Sequence, residues 1–366
     1  MSDWPMARLG DVLSYEQPTK YIVHSTYYNN AYHTPVLTAG QSFILGYTNE
    51  TDNIFADNLP VIIFDDFTTA IKYVDFPFKV KSSAMKILKA RKGISIKYLF
   101  YCMSKIVVDT ELHKRYWISV FSNIQIPLPP LEIQRKIAAT LDAASDIIKL
   151  RKKQLEELDE LAKSQFIEMF GDPATNPMGW ERKTLGESCE IITGNTPPRV
   201  TAEYYGEFIE WIKTDNIQAT NAKLSPAKEH LSEKGFEKCR YVEAGSILMT
   251  CIAGSLNSIG NVAITDRRVA FNQQINALTP LAYDIVFLYC LLGMMKRELC
   301  ESVNMMLKGI LSKGRLSEIE AIAPPLELQT RFADFVRQAD KSKFVIQQAV
   351  DETQMLFDSL MSGYFG

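Results

Sequence analysis

The sequence predicts an α/β protein with two globular mixed α/β domains, separated by two long antiparallel helices that form a coiled coil, and with an internal pseudo-two-fold repeat. Residues 129–171 and 324–366 align without a gap and share 12 of 43 positions. Each segment carries an apolar stripe at helical spacing, and the stretches before them share little sequence. We therefore expect a first globular domain over 1–128, a helix over 129–171, a second globular domain over 172–323 and a helix over 324–366.

The repeat extends upstream of the two helices. Residues 122–130 read SNIQIPLPP and residues 317–325 read SEIEAIAPP, so the strand that leads into each helix is also duplicated. Near the start of each unit, residues 4–11 (WPMARLGD) resemble residues 180–187 (WERKTLGE) in their Trp, Leu and Gly. Between these landmarks the units differ. A common frame thus holds two dissimilar domains, whose short apolar runs between turn residues are typical of strands.

Each repeated segment begins and ends as a helix does. Paired prolines open both segments, where no intrahelical N–H bond is lost, and Glu132 and Glu327 follow where a carboxylate favours the positive helix end. A Phe-Gly pair closes each segment. At 1.5 Å per residue, each helix would be roughly 60 Å long.

Alternating steps of four and three residues pass through ten positions in each helix, and eight of the ten are apolar or aromatic. Such a stripe is typical of a coiled-coil seam, and two stripes in one chain most simply bury each other. If a two-fold axis relates the units, the helices must run antiparallel. The alternative is that each helix packs only on its own globular domain. The side chains predicted to face the seam are Ile137, Leu141, Ile148, Leu155, Leu158, Phe332, Val336, Ile346, Val350, Phe357 and Leu360.

Composition predicts a globular chain with enough residues for two cores. The 366 residues are 46% hydrophobic and 23% charged. No apolar run approaches the roughly 20 residues of a membrane span, and the N-terminus lacks the apolar core of a signal peptide. We therefore expect a cytoplasmic protein with no membrane partner. The net charge of −3 argues against a uniformly basic nucleic-acid binder. A net charge is a sum over the whole surface, however, and does not describe the charge of any one face.

No motif for catalysis or cofactor binding is recognisable. The six cysteines contain no C-x-x-C pair and the four histidines are dispersed, which predicts neither a disulfide framework nor a metal site. The nearest match to a phosphate-binding loop, residues 309–316, has Arg and Leu where Lys and Ser or Thr are required. We therefore expect no catalytic residue, and no cofactor or metal bound by this chain.

Polar and basic side chains in the predicted loops are candidates for contacts with double-stranded DNA. Lysine and arginine clusters suit phosphates, whereas amides and hydroxyls suit base edges. Loop Asn and Gln residues also cap turns, which is the alternative for each amide. The candidates are Tyr21, His24, Tyr27, Asn29, Asn30, Lys81, Lys86, His113, Lys114, Arg115, Asn195, Thr196, Arg199, Lys213, Asn216, Asn272, Gln273, Gln274, Lys308, Lys313 and Arg315.

The whole frame resembles the specificity (S) subunit of Type I restriction–modification systems. The most specific part is the doubled I-x-x-x-x-P-P-L-E-x-Q motif that opens each long helix. Looser similarity extends to residues 34–46 and 62–66 in the first domain, and to residues 193–199, 211–215 and 271–275 in the second.

The resemblance implies a noncatalytic protein whose two target recognition domains each read one half of a split, asymmetric DNA sequence. It implies that the helices set the spacing between the halves and dock two modification subunits, which bring S-adenosylmethionine and methylate adenine. Restriction subunits, with ATP and Mg²⁺, would complete an ATP-dependent nuclease. Two alternatives remain: a coiled-coil scaffold with two protein-binding heads, and a recognition module detached from a single-chain restriction–methylation enzyme.

Overall fold

The computed structural model describes residues 4–38, 42–108, 115–218, 222–301 and 309–366. Three predicted DNA contacts lie outside these residues: His113, Lys114 and Lys308. The elements of the first half are β1 (Met6–Arg8), α1 (Leu9–Val12), β2 (Leu13–Glu16), β3 (Thr34–Leu37), β4 (Ile44–Thr48), β5 (Val61–Asp65), β6 (Ile71–Val74), β7 (Lys79–Val80), β8 (Met85–Ala90), α2 (Ile96–Ser104), β9 (Gln125–Pro127) and α3 (Leu131–Phe170). Those of the second half are β10 (Arg182–Thr184), α4 (Leu185–Ser188), β11 (Cys189–Thr193), β12 (Tyr205–Ile212), β13 (His230–Leu231), α5 (Glu233–Phe236), β14 (Tyr241–Val242), β15 (Ile247–Thr250), β16 (Ile252–Ala253), β17 (Val262–Ile264), β18 (Val269–Phe271), β19 (Ile275–Pro280), α6 (Ile285–Met294), α7 (Lys296–Glu301), β20 (Gly309–Ile310), α8 (Lys313–Glu318), β21 (Glu320–Ile322) and α9 (Leu326–Phe365).

The chain forms two compact units, Met1–Lys152 with Gln347–Gly366, and Lys153–Ile346. Each long helix therefore contributes one part to each unit. In the first unit an antiparallel sheet has the strand order β2-β8-β5-β6. A second sheet has the order β4-β3-β7, in which β3 and β7 are parallel. The unit is thus a mixed α/β domain, as predicted.

The second unit repeats this layout with a different sequence. Its antiparallel sheet has the order β11-β19-β15-β17. Its other four-stranded sheet has the order β13-β12-β18-β14, with a parallel pairing of β12 and β18. The internal repeat, recognised from the helices, therefore includes the globular domains as well.

The same short strand pairing closes each domain beside its long helix. Strand β1 pairs with β9 in the first unit, and β10 pairs with β21 in the second, both antiparallel. The Leu9 N–H donates to the Ile124 carbonyl at 3.0 Å, and the Leu185 N–H donates to the Ile319 carbonyl at 2.9 Å. Leu9 and Leu185 are fully buried, and a Cβ on the next residue, Gly10 or Gly186, would lie 3.0 Å from a carbonyl oxygen, which explains why the Leu-Gly pair recurs.

A buried glutamine connects each long helix to its domain. The Gln134 Oε1 accepts the Ser95 N–H at 2.9 Å, and the Gln329 Oε1 accepts the Asp284 N–H at 3.0 Å. Ser95 and Asp284 are the residues that cap the N-termini of α2 and α6. In both helices the glutamine Nε2 donates to the carbonyl of the first proline of the Pro-Pro pair at 2.8 Å. The repeated glutamine thus satisfies two backbone groups that would otherwise be buried without partners.

The first long helix ends where the chain turns with a positive φ. Its last residue is Phe170, and Gly171 follows with φ of 75°. A side chain there would be strained, and a Cβ would lie 2.5 Å from Pro177. Both helices begin directly after the paired prolines: α3 starts at Leu131 and α9 starts at Leu326.

The two long helices run antiparallel. In the first unit, Leu141 near the start of α3 lies in one buried cluster with Met361 near the end of α9. In the second unit, the Phe166 and Phe170 rings at the end of α3 pack edge-on against Phe332 at the start of α9, at 5.4 and 5.6 Å. The predicted pairing is confirmed, and the alternative in which each helix packs only on its own domain is excluded.

The apolar stripe of each helix faces inward. All ten stripe positions on both helices are buried or half-buried. One charged residue interrupts each stripe: Arg151 donates to the Ala349 carbonyl and the Thr353 hydroxyl, and Lys343 pairs with Asp159. Of the residues predicted to face the seam, those that are buried are Ile137, Leu141, Ile148, Phe332, Val336 and Val350. Those that are half-buried are Leu155, Leu158, Ile346, Phe357 and Leu360.

Candidate nucleic-acid interface

The segment between β2 and β3 of the first unit presents polar and aromatic side chains to solvent. The backbone N–H groups of His24 and Ser25 donate to Glu50 Oε1 at 2.9 and 3.0 Å, which fixes the path of the chain. The Asn29 Oδ1 accepts the Ala31 N–H at 2.9 Å, so this amide braces its own turn. The predicted DNA contacts exposed in this segment are His24, Tyr27, Asn29 and Asn30.

The buried side chain of Lys79 stabilises the segment between β2 and β3. Lys79 Nζ lies 2.8 Å from Glu50 Oε2 and donates to the Asp52 carbonyl at 2.8 Å. His24 Nε2 lies 3.7 Å from Asp52 Oδ2. An imidazole and two carboxylates could hold a metal ion, but the ammonium of Lys79 already supplies the positive charge. Burial raises the pKa of Glu50. The hydrogen bonds from Lys79 and from the His24 and Ser25 N–H groups have the larger, opposite effect, so the pKa of Glu50 lies below its ordinary value.

Two of the predicted DNA contacts in the first unit are core residues, so those predictions are wrong. The Tyr21 ring packs edge-on against Phe55 at 5.1 Å and is buried. The Lys86 side chain is 4% exposed, and its Nζ lies 3.2 Å from Asp66 Oδ2. Lys86 is on β8, where the four successive residues 85–88 are all buried, so both faces of the strand are covered there. Outside the segment between β2 and β3, two further predicted contacts of this unit are exposed: Lys81 and Arg115.

Several predicted base-reading amides of the second unit hold loops together instead. The Asn195 Nδ2 donates to the Lys238 carbonyl at 2.8 Å, and its Oδ1 accepts the Arg240 N–H at 2.7 Å. Asn216 is buried and its Nδ2 donates to the Pro226 carbonyl at 3.0 Å. Both polar atoms of Asn195 are therefore engaged, and Asn216 has no access to DNA.

The segment 272–274 is similar. Asn272 is buried, its Oδ1 accepts the Gln274 N–H at 3.0 Å, and its Nδ2 donates to the Gln274 side chain at 3.1 Å. Asn272 is thus a turn residue and not a DNA contact. By contrast, Gln273 is exposed and its amide oxygen accepts a hydrogen bond from the half-buried Thr196 hydroxyl. These two side chains form a polar pair on the surface of the second unit.

A cluster of cations and aromatic rings lies near this pair in the sequence. The guanidinium carbon of Arg199 lies 4.9 Å from the ring centres of both Tyr205 and Trp211. Lys213 Nζ lies 5.2 Å from the Trp211 ring. Arg199 Nη1 donates to Glu229 Oε2 at 2.7 Å, and Lys213 bonds to the other oxygen of the same carboxylate. The structure therefore brings two predicted DNA contacts together around one acidic residue.

Three members of this cluster are not among the residues predicted from the sequence: Tyr205, Trp211 and Glu229. Glu229 lies 16 positions after Lys213, with no motif to connect them. Its pKa is lowered chiefly by the hydrogen bond from Lys213 and also by that from Arg199, against the opposing effect of burial. The only available signal was Trp211, which stands two residues before Lys213 in a strand-like run.

The last predicted contacts lie on α8, directly before the strand that leads into α9. Lys313 and Arg315 are exposed at the start of this short helix. Its N-cap is Ser312, whose hydroxyl accepts the Arg315 N–H at 3.3 Å. Both side chains are placed where a phosphate could reach them.

The outer faces of the two long helices carry exposed apolar side chains at repeated positions. Leu150 on α3 and Val345 on α9 occupy the same position of the repeat and are 62% and 63% exposed. Leu161 and Leu356 are a second equivalent pair, 47% and 56% exposed. Each unit thus presents one exposed residue of each pair. Among the described residues, no helix is both long and apolar enough to cross a membrane.

Comparison with known proteins identifies what this arrangement is similar to. A family model for the Type I restriction modification DNA specificity domain matches residues 1–160 and 177–352. The specificity subunit of the Type I restriction enzyme EcoR124I/EcoR124II from Escherichia coli is 34% identical over 309 residues, which cover 78% of this chain and 73% of that protein. The specificity subunit of the MjaIX enzyme from Methanocaldococcus jannaschii is 24% identical over 300 residues, covering 74% and 68%.

Solved structures show the same fold. The S subunit of a Type I restriction–modification system from M. genitalium superposes with a TM-score of 0.65 at 14% identity, covering 100% of this chain and 96% of that one. A chain from a structure of type I restriction–modification complex assembly has a TM-score of 0.57 at 20% identity, covering 99% and 97%. With two matched specificity domains, a doubled helix motif and two equivalent α/β domains, the chain belongs to the family of DNA specificity subunits of Type I restriction–modification systems.

Proposed function

We propose that this chain is the noncatalytic DNA-reading subunit of a complex that methylates adenine and, with restriction subunits, cleaves unmodified DNA. Each α/β domain would read one half of a split target, and the halves would differ because the domains differ. S-adenosylmethionine, ATP and Mg²⁺ would be bound by the partner subunits, and the complex would act on DNA in the cytoplasm. The observation that carries this proposal is one scaffold, with equivalent contacts in both units, that presents two different polar surfaces.

The repeated contacts of the long helices are the same in both units, whereas the exposed polar side chains differ, and this contrast supports the proposal. The side-chain hydrogen bonds of Gln134 and the equivalent bonds of Gln329 differ in length by 0.1 Å or less. The polar surfaces share no such correspondence: Tyr27 and Asn30 are exposed in the first unit, and Arg199 is exposed in the second. A scaffold that is kept while its exposed loops change is what reading two unrelated half-sites requires.

The helices offer two equivalent docking positions. Leu150 and Leu356 belong to the first unit, and Val345 and Leu161 belong to the second. Apolar side chains that recur at the same repeat positions, although 31 of 43 positions differ, suit two copies of one partner better than two unrelated partners. We assign these copies to the methyltransferase subunits.

The test is to produce the chain with its methyltransferase subunit, treat a random duplex library, and map the methylated adenines by sequencing. We expect a motif with two unlike halves at a fixed spacing. Methylation without sequence preference, or no duplex binding by the assembled complex in fluorescence polarisation, would refute the proposal.

A second measurement tests the docking positions. Leu150→Asp should reduce the number of bound methyltransferase subunits from two to one by native mass spectrometry, and the combination with Val345→Asp should abolish binding. Leu281→Asp is the matched control, because Leu281 is an exposed leucine outside the helices. Two subunits bound to the double variant would rule out this face.

A further inference from the structure

The side chain of Arg199 is held in one orientation although it is 54% exposed. Its guanidinium carbon lies 4.9 Å from the centre of each of two aromatic rings, Tyr205 and Trp211, whose planes are 75° apart. The platform is rigid because Trp211 is buried and its Nε1 donates to the Asn195 carbonyl at 3.3 Å. The cation–π contacts with both rings and the ion pair with Glu229 restrict the Arg199 side chain, so less rotamer entropy is lost when the guanidinium meets a ligand.

The guanidinium retains unused donors on its open side. In the described part of the chain, its hydrogen bonds engage Nη1 alone, with Glu229 as the acceptor. Other arginines of this unit are more fully occupied: Arg267 bonds to both oxygens of Glu210, and Arg182 donates to two backbone carbonyls. Arg199 therefore combines a restricted side chain, solvent access and free N–H groups.

Glu229 limits the charge of the cluster. Its two oxygens bond to Arg199 and Lys213, so two cations share one carboxylate. The Glu229 backbone carbonyl accepts the Trp211 N–H at 3.0 Å, which ties this acid to the strand beneath the rings. With two cations and one carboxylate, the cluster keeps one net positive charge. Glu229 holds both cations in place, because its own backbone is bonded to the strand that carries Trp211.

Resting on the function proposed above, we propose that Arg199 is the residue of the second unit that binds a pair of hydrogen-bond acceptors on DNA, and that Glu229 is its positioning residue. The ligand is a guanine O6/N7 edge or a backbone phosphate, since both present paired acceptors to a planar fork. Lysine cannot replace this geometry, although it keeps the charge.

The experiment compares Arg199→Lys, Arg199→Ala and Glu229→Gln in the complex with methyltransferase subunits. Competition binding uses duplexes in which the half-site read by the second unit is randomised, at two salt concentrations. Arg297→Ala is the control, because Arg297 is 90% exposed and its ion pair among the described residues is with Glu301 of its own helix. Circular dichroism checks that each variant is folded.

Two results support the proposal and distinguish the sources of the acceptors. For a guanine edge, Arg199→Lys loses roughly 5- to 100-fold in affinity, only for duplexes with G at one position. For a phosphate, Arg199→Lys and Arg199→Ala each weaken binding to all duplexes equally, the alanine variant more, and Arg199→Ala lowers the slope of log affinity against log salt by about one. In both cases Glu229→Gln should raise affinity for non-target duplexes several-fold, because it releases two cations.

Unchanged affinity and sequence preference in Arg199→Ala and Glu229→Gln would overturn this inference while leaving the proposed function intact. Loss of duplex binding by the wild-type complex would instead refute the proposed function. A merely structural role for Arg199 would lower the melting temperature without changing the preferred base or the salt slope.

Discussion

The ammonium of Lys343 on α9 lies 2.6 Å from the carboxylate of Asp159 on α3. Lys343 occupies a position of the apolar stripe, its side chain is 23% exposed, and it also lies 3.2 Å from Asp340. The equivalent residue of the first helix is the buried Ile148. Burial lowers the pKa of Lys343, but the two carboxylates have the larger effect, so the pKa of Lys343 lies above its ordinary value. One coiled-coil position is thus filled by an ion pair in one repeat and by an aliphatic side chain in the other.

Replacing Lys343 with isoleucine should leave the protein equally stable or stabilise it by up to about 1.5 kcal/mol. Ile148 already fills the equivalent position, and Asp159 and Asp340 keep contact with water when the lysine is removed. Thermal unfolding followed by circular dichroism measures the effect. Lys343→Asp is the contrasting variant and should lower the melting temperature, because it places a third carboxylate between two others. A clear loss of melting temperature in the isoleucine variant would show that the site does not accept an apolar side chain.

Gln134→Ala and Gln329→Ala should each lower the free energy of unfolding by about 1 to 3 kcal/mol, because each leaves a partly buried N–H and a buried carbonyl without their glutamine partner. Since the two glutamines make the same bonds, the two losses should be similar. Urea unfolding provides the measurement. The exposed Gln347 on α9 serves as the control, and its replacement by Ala should change stability by less than about 0.5 kcal/mol. A loss in only one unit would contradict the equivalence of the frames.

Glu16 makes the first unit sensitive to acid. Burial raises its pKa, but hydrogen bonds from Lys89, Tyr21 and Lys20 outweigh this and lower it to about 2. Because the folded pKa lies below the unfolded value of 4.5, the stabilisation is fully present above that value and is lost as pH falls towards 2.

Glu16→Gln should therefore be less stable than the wild type at pH 7, and the difference should shrink between pH 4.5 and 2. Melting temperatures measured across this range test it. Glu156→Gln, at an exposed position of α3, is the control. A difference that stays constant with pH would mean that charge on Glu16 does not stabilise the fold.

The chain should tolerate circular permutation. Trp4 and Phe365 pack against the same core cluster of the first unit, and in the second unit the Trp180 Nε1 donates to the Phe170 carbonyl at 3.0 Å. We expect a variant that joins residue 366 to residue 1 through a short linker, and opens between the exposed residues 174 and 175, to fold and bind methyltransferase subunits. Co-purification and melting temperature are the measurements, with the unpermuted chain as the control. Insoluble protein, or soluble protein that binds no partner, would contradict the expectation.

Burial decides which of the predicted DNA contacts remain candidates. Sequence shows that Lys86 is basic, but not that β8 is an inner strand whose lysine is neutralised by Asp66. Likewise, a loop asparagine such as Asn272 has the same chemistry whether it faces DNA or caps a turn. Conversely, Glu229 belongs to no motif and is recognisable only once Arg199 and Lys213 converge on it.

The sequence by itself determined the two long helices, their inward stripes, the internal repeat and hence the family. These features depend on local periodicity and on duplicated residues, both of which are visible in one dimension. Only the tertiary structure decided which polar side chains remain accessible, because strand pairing brings residues far apart in sequence together and consumes their hydrogen-bonding groups. Tyr21 and Asn216 are buried as a result, whereas Arg199 lies beside the Trp211 ring and keeps N–H groups available for a ligand.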